Sequence, residues 1–173
     1  MYITIIAATS KDGYIAGPDG DLSWTSKEDK QLLHDCVLKS DVLIMGQVTY
    51  PKHTKPGTND NKLRVVLTHD PKNMQKLSKN TQFVNAPLSD VLKDLKSKGY
   101  KNALILGGAS VYSQAISNKL ADTLLISVEP ITLGAGLPLY SIPLSNESLT
   151  GYKQTSVTPL NFAGTELYQY NLS

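Results

Sequence analysis

The chain has 173 residues, 40% of them hydrophobic and 18% charged, with a net charge of +2. Such a balance describes one domain with a substantial core and excludes a disordered chain. The basic residues are scattered without a stripe interleaved with aromatics, which argues against a nucleic-acid partner, and no apolar run is long enough to cross a membrane.

Tyr2 to Ala8 is apolar and β-branched and predicts a buried first strand. Thr9 to Ser23 follows as a long loop hinged at Gly13, Gly17 and Gly20, the kind of loop that serves as a lid or binding loop. Thr25-Ser26 opens a helix to about Lys39, whose apolar stripe is Leu32, Leu33, Cys36 and Val37. Asp41 to Gly46 predicts a second buried strand, Gln47 to Asn61 a polar connection, and Leu63 to Thr68 a third strand. Pro71 to Leu77 predicts a short helix, Gln82 to Val84 a short strand, and Ser89 to Lys98 an amphipathic helix stopped by Gly99.

Ala103 to Leu106 is a run of strand length that enters Gly107-Gly108 directly, and a helix follows through Ser110, Val111, Tyr112, Ala115 and Ile116. Thr123 to Val128 predicts another strand, and Leu133 to Pro138 a loop whose Gly134-x-Gly136 is a turn. Tyr152 to Val157 and Thr165 to Leu172 predict two strands joined by a turn too short for a crossover helix, hence antiparallel. The alternation implies an α/β three-layer sandwich: a mostly parallel mixed sheet with helices on both faces, closed by an antiparallel C-terminal pair.

Cys36 is the single cysteine, so no internal disulfide forms, which suits a reducing compartment. The start MYITIIAATS lacks the basic segment and cleavage site of a signal peptide, so a soluble cytoplasmic protein is expected. In that setting the glycosylation patterns Asn146-Glu147-Ser148 and Asn171-Leu172-Ser173 carry no meaning. His34, His53 and His69 are not at metal-ligand spacing, and no metal is expected.

A strand that runs into a glycine pair and a helix bares backbone N–H groups at the sheet's carboxyl edge, a ready site for a diphosphate. The same residues also suit a plain tight turn, since a lone diglycine is not the dinucleotide fingerprint. Two readings of Asp29 likewise stand side by side. It lies on the core-facing stripe with Leu32, Leu33 and Cys36, where a carboxylate needs a partner or a job, and partial burial would raise its pKa. It also completes Ser26-x-x-Asp29, a capping-box pattern. Ser110 suits a helix start or a phosphate hydrogen bond, and Thr49 and Thr68 suit capping or ligand contact.

Taken in order, Ile6-Ala7-Ala8, Trp24-x4-Asp29, Ile44-Met45-Gly46-x-x-Thr49-Tyr50, Val65-Val66-Leu67-Thr68 and Gly107-Gly108-Ala109-Ser110-Val111-Tyr112 resemble the dihydrofolate-reductase-like superfamily. Within it, Ser10-Lys11-Asp12-Gly13 and Pro130-x-x-Leu133-Gly134-x-Gly136-x-Pro138-Leu139 look like the reductase domain of the bacterial riboflavin-synthesis deaminase-reductase, without the deaminase half and its zinc motif. The resemblance implies an NADPH-dependent reductase, with NADH as the other candidate cofactor, and at family level a homodimer. It would set Ala7, Ala8 and Ile15 at the nicotinamide, and Gly46, Gln47, Val48 and Thr49 with Leu67 and Thr68 at the pyrophosphate and adenosine side. Gly107, Gly108, Ala109, Ser110, Val111, Tyr112 and Gln114 would hold the phosphates. Asp29 would be the catalytic carboxyl in a substrate pocket lined by Trp24 and Leu33, with Thr49 at its border.

The implied substrate is a small molecule, first a ribosylamino-pyrimidine phosphate and alternatively dihydrofolate. A third reading is a non-catalytic dinucleotide-binding protein. Gln47 and Ser110 stand where dihydrofolate reductases commonly carry arginines, and Lys62 stands near their folate-carboxylate clamp. The Asp-Pro and downstream arginine usual in the riboflavin reductase domain are missing from the loop Tyr50 to Gly57.

Overall fold

In the computed structural model, which describes residues 1–58, 61–140, 149 and 151–173, the first strand, β1 (Tyr2–Thr9), lies deep in an eight-stranded sheet. After it come β2 (Tyr14–Ala16), α1 (Lys27–Lys39), β3 (Val42–Gly46), α2 (Tyr50–His53), β4 (Leu63–Leu67), β5 (Thr81–Val84) and α3 (Leu88–Ser97). Then come β6 (Asn102–Ile105), α4 (Ala109–Ser117), β7 (Thr123–Val128), β8 (Leu137–Pro138), β9 (Tyr152–Pro159) and β10 (Glu166–Leu172). The strand order is β5-β4-β3-β6-β1-β7-β10-β9, parallel from β5 through β7, with β10 antiparallel to β7 and β9 antiparallel to β10. This is the expected three-layer sandwich with its antiparallel C-terminal pair. The Asn146 glycosylation pattern lies outside the described residues.

Successive side chains of a strand point to opposite faces, so each parallel strand feeds two cores. Ile6, Leu43, Met45, Val66 and Leu104 pack under Leu32, Leu33, Cys36 and Val37 of α1. Ile5, Ile44, Val65 and Ile105 pack on the other face under Leu88, Val91, Leu92 and Leu95 of α3 and Val111, Tyr112, Ala115 and Ile116 of α4. No helix among the described residues is long and apolar enough to cross a membrane.

The differences from the expected elements are local. Pro71 to Leu77 is only a 3-10 turn over Pro71–Asn73, because the chain turns extended at Met74 (φ −86°, ψ 133°), and Met74 and Leu77 pack on the core beyond the turn. The connection after β3 contains α2, with proline in its first turn, a position where the missing N–H costs nothing. Its Tyr50 is buried, and the hydroxyl accepts the N–H of Leu77 at 2.8 Å and of Ser78 at 3.3 Å.

The two segments expected as loops, around Tyr14 and around Leu137, pair as a small antiparallel ribbon, β2 with β8. Gly136 permits that approach, since a Cβ there would stand 2.2 Å from the Ala16 carbonyl oxygen. Asp12 fastens the same two segments, its carboxylate accepting the N–H of Leu133 at 3.1 Å and of Gly134 at 2.7 Å.

Candidate active site

β1 pairs with β6 only from Tyr2 to Ile5, whereas it continues along β7 to Thr9. Beyond Ile5 the two neighbours of β1 part company, and a crevice opens at the carboxyl edge of the sheet, where ligands dock in open α/β folds. The Ile6 carbonyl, left without a ladder partner on the β6 side, accepts the Tyr112 hydroxyl at 2.6 Å. That bond pins α4 against β1 beside the crevice. Burial, and then the Asp29 charge, hold the Tyr112 phenol well above its usual pKa, so it stays a donor.

The crevice is one cleft of about 690 Å³. Of the residues expected from sequence, Ala7, Ala8 and Ile15 line it from β1 and the ribbon. Gly46, Gln47, Val48 and Thr49 line it after β3, and Leu67 and Thr68 at the end of β4. Gly108, Ala109, Ser110, Val111, Tyr112 and Gln114 line it at the start of α4, and Asp29 and Leu33 from α1.

Gly108 is the N-cap of α4 and no side chain caps that end, so the helix opens on the cleft with bare N–H groups. Gly46 donates its N–H to the Gly107 carbonyl at 2.7 Å, which holds the two glycine backbones side by side. A Cβ on Gly108 would stand 3.2 Å from Thr49 Oγ1, so the space between them exists only because this residue is glycine. The Gly107-Gly108 peptide is cis. At the rim the Thr68 hydroxyl donates to Gln47 Oε1, and Asp70 donates its N–H to the same hydroxyl at 3.2 Å.

Trp24 and Gly107 fall outside this lining. Trp24 instead braces the loop that leads to α1, its indole N–H donating to the Asp21 carbonyl at 3.0 Å. Gly107 has φ +98°, and a Cβ there would meet the Tyr112 ring at 2.8 Å, so glycine is required by packing rather than by a ligand. Gln114 reaches the lining, but its Oε1 accepts the Leu88 N–H at 3.2 Å and so serves the start of α3.

Asp29 resolves its two readings in an unexpected way. Ser26 caps α1 and its Oγ accepts the Asp29 N–H at 3.1 Å, one half of a capping box. The reciprocal half is absent, because the Ser26 N–H donates to Glu129 Oε1 at 2.7 Å. The Asp29 carboxyl, 7% exposed, remains at the cleft. Burial raises its pKa, and repulsion from Glu129 adds to that. The Ser127 hydroxyl and Lys30 pull the other way, although Ser127 Oγ makes no hydrogen bond of normal geometry.

Sequence reasoning missed Leu22, Thr25 and Lys30 at one end of the cleft, Lys52 and His53 of α2, and His69 and Asn85 at the β4 and β5 ends. His69 lies two residues past the carboxyl end of β4 and was findable on the rule that ligands meet that edge. Lys52 and His53 depend on the short helix that two prolines masked. Burial, and then the neighbouring Lys52, lower the His53 pKa.

The profile of the RibD C-terminal domain family matches residues 1–161. The uncharacterized protein YwjB of Bacillus subtilis (strain 168) is 31% identical over 157 residues, covering 85% of this chain and 88% of that protein. A diaminohydroxyphosphoribosylaminopyrimidine deaminase/5-amino-6-(5-phosphoribosylamino)uracil reductase from Thermotoga maritima superposes with a TM-score of 0.78 at 19% identity, over 99% of this chain and 56% of that one. Dihydrofolate reductase from Enterococcus faecalis superposes with a TM-score of 0.73 at 18% identity, over 99% and 96% of the two chains. The crevice between β1 and β6 thus sits in a dihydrofolate-reductase-like fold, and the chain belongs to the RibD C-terminal domain family, a reductase family of riboflavin biosynthesis.

Proposed function

We propose that this chain is a nicotinamide-dinucleotide-dependent reductase of the riboflavin-biosynthesis type, acting on a ribosylamino-pyrimidine phosphate. The observation that carries the reading is the meeting in one cleft of bare backbone at Gly46 and Gly108 with a buried carboxyl at Asp29. The room that a Cβ on Gly108 would fill, together with the uncapped start of α4, fits a diphosphate.

A bound dinucleotide supplies hydride to the substrate. The chain supplies everything else. The N–H groups of Gly108, Ala109 and Ser110 hold the diphosphate, while Gln47 and Thr68 frame the adenosine side. Ala7, Ala8 and Ile15 form an apolar wall against the nicotinamide, and Leu33 keeps water from the reacting atoms. Asp29 holds a proton at higher pH than an ordinary carboxyl and hydrogen-bonds the substrate oxygen that gains charge. NADPH is the assigned dinucleotide, to be compared with NADH because Gln47 and Ser110 present no cation.

Dihydrofolate has less support as substrate. Lys62 donates its ammonium to the Leu38 carbonyl at 3.1 Å and the Ser40 carbonyl at 2.7 Å, at the end of α1 and outside the cleft lining.

The test is a calorimetric titration with NADPH and NADH, followed by loss of nicotinamide absorbance on a panel containing dihydrofolate and the pyrimidine intermediate. NADPH binding with turnover of the pyrimidine is the expected result. Binding without turnover of any substrate would favour a dinucleotide-binding protein, and absence of binding would end the proposal.

A further inference from the structure

Glu129 lies one residue beyond β7 and is 2% exposed, an expensive place for a carboxylate unless it is fully engaged. It is engaged on every side. Its N–H donates to the Thr9 carbonyl at 2.8 Å, which ties it to the end of β1. Its Oε1 accepts the Ser26 N–H at 2.7 Å, and its Oε2 accepts the Thr165 hydroxyl at 2.7 Å. Thr165 is itself 1% exposed and held by Asn161, which also donates to Glu28 Oε2 at 3.0 Å. The backbone of this residue therefore ties the end of β1, while its side chain joins the start of α1 to the turn between β9 and β10.

The position taken at Ser26 is the one a capping box would give to the residue three places on. In this chain that residue is Asp29. An acidic side chain there would ordinarily fold back onto the Ser26 N–H and be spent on its own helix.

We propose that Glu129 is a positioning residue for the reductase: by occupying the Ser26 N–H from another strand, it keeps the Asp29 carboxyl facing the cleft. The inference rests on the proposed reductase reading only for its consequence in turnover. The placement of Asp29 is a property of the protein alone. The charged and titratable groups that face Asp29 are Glu129 beyond β7 and Tyr112 on α4, with Lys30 on its own helix; Lys52 and His53 of α2 line the same cleft.

The test uses the whole chain and two substitutions. In Glu129→Gln an amide oxygen still accepts the Ser26 N–H, but the charge is gone. In Glu129→Ala the N–H loses its acceptor. The Asp29 carboxyl is followed by NMR titration without cofactor, and kcat, KM and the pH profile are measured with it. Glu129→Ala should move the Asp29 titration below that of an ordinary aspartate, as expected for a carboxylate that has captured an N–H. It should also lower kcat at least tenfold with dinucleotide affinity unchanged. Glu129→Gln should recover most of that loss, with the Asp29 midpoint and the pH profile moved modestly downward.

An Asp29 midpoint in Glu129→Ala no lower than that in Glu129→Gln overturns the proposal, since the two variants lose the same charge and differ only in the acceptor for the Ser26 N–H. If Glu129→Ala does not fold, Glu129→Met, which keeps the volume without the acceptor, is read against Glu129→Gln in the same way. Absence of turnover in every variant and the wild type would sink the reductase reading alone, since the carboxyl titration still reports the placement.

Discussion

The Tyr112 hydroxyl donates to the Ile6 carbonyl at 2.6 Å, across the point where β1 leaves β6. The bond closes what would otherwise be an unpaired buried carbonyl at the crevice. Tyr112→Phe removes the donor and leaves the carbonyl without a partner, which costs about 1–3 kcal/mol. Urea denaturation should show that loss as a lower midpoint with the m-value unchanged.

Asp29→Asn separates stability from activity. The folded pKa of Asp29 is raised above the ordinary 3.8, so the folded chain holds this proton more tightly than the unfolded one. The contribution is favourable below pH 3.8 and is lost as pH rises through the folded value. Asparagine carries no such charge, so Asp29→Asn should melt a few degrees higher at neutral pH, with the difference vanishing toward pH 3.8. Turnover should disappear while calorimetric dinucleotide affinity stays within about threefold of the wild type.

The same sign governs the pH profile. The protonated carboxyl is the working form, so kcat should be high on the acid side and fall as pH rises through the Asp29 pKa. That fall should be absent from any residual activity of Asp29→Asn. A rate independent of pH in the wild type would remove Asp29 from the chemistry.

The two adjacent glycines should behave differently. At Gly107, with φ +98° and the Tyr112 ring 2.8 Å from the position of a Cβ, alanine should cost about 1–3 kcal/mol of stability. At Gly108, φ −79° is open to any residue, and a Cβ 3.2 Å from Thr49 Oγ1 needs only that hydroxyl to shift, so valine should cost less stability than the change at Gly107. Its branched side chain fills the space beside Thr49 Oγ1, and dinucleotide affinity should drop at least tenfold. Thermal melts and calorimetry on the two variants read both effects.

Gly136→Ala tests the ribbon. A Cβ 2.2 Å from the Ala16 carbonyl oxygen forces β2 and β8 apart, and Ile15, Ala16 and Leu137 line the cleft. KM and the dinucleotide Kd should rise together. The denaturant midpoint should change little, because the eight-stranded sheet does not include the ribbon.

The main sheet was legible because its signals are local. Thr123–Val128 is apolar, ends before Glu129-Pro130, and forms β7 with the expected bounds. The polar turn at Pro159, Asn161 and Gly164 correctly implied an antiparallel pair. The cleft was legible where residues follow a strand's carboxyl end, as Gly46 to Thr49 and Gly108 to Tyr112 do. What escaped depends on distant partners. A three-residue strand and a two-residue strand carry no periodicity of their own, so β2 and β8 passed as loops. Ser26-x-x-Asp29 matched a local motif whose second half is made by a residue 103 positions away. Trp24 was set at the substrate pocket by the family resemblance alone, and its indole N–H has a nearer acceptor in its own turn.

That indole has a practical consequence. Trp24 is the only tryptophan of the chain, half-buried and bonded to the loop that runs beside Leu22 and Thr25 at the mouth of the cleft. Near-ultraviolet emission excited selectively at tryptophan therefore arises from one place. A change in its wavelength or anisotropy on adding a ligand reports how this loop rearranges, without any label being attached.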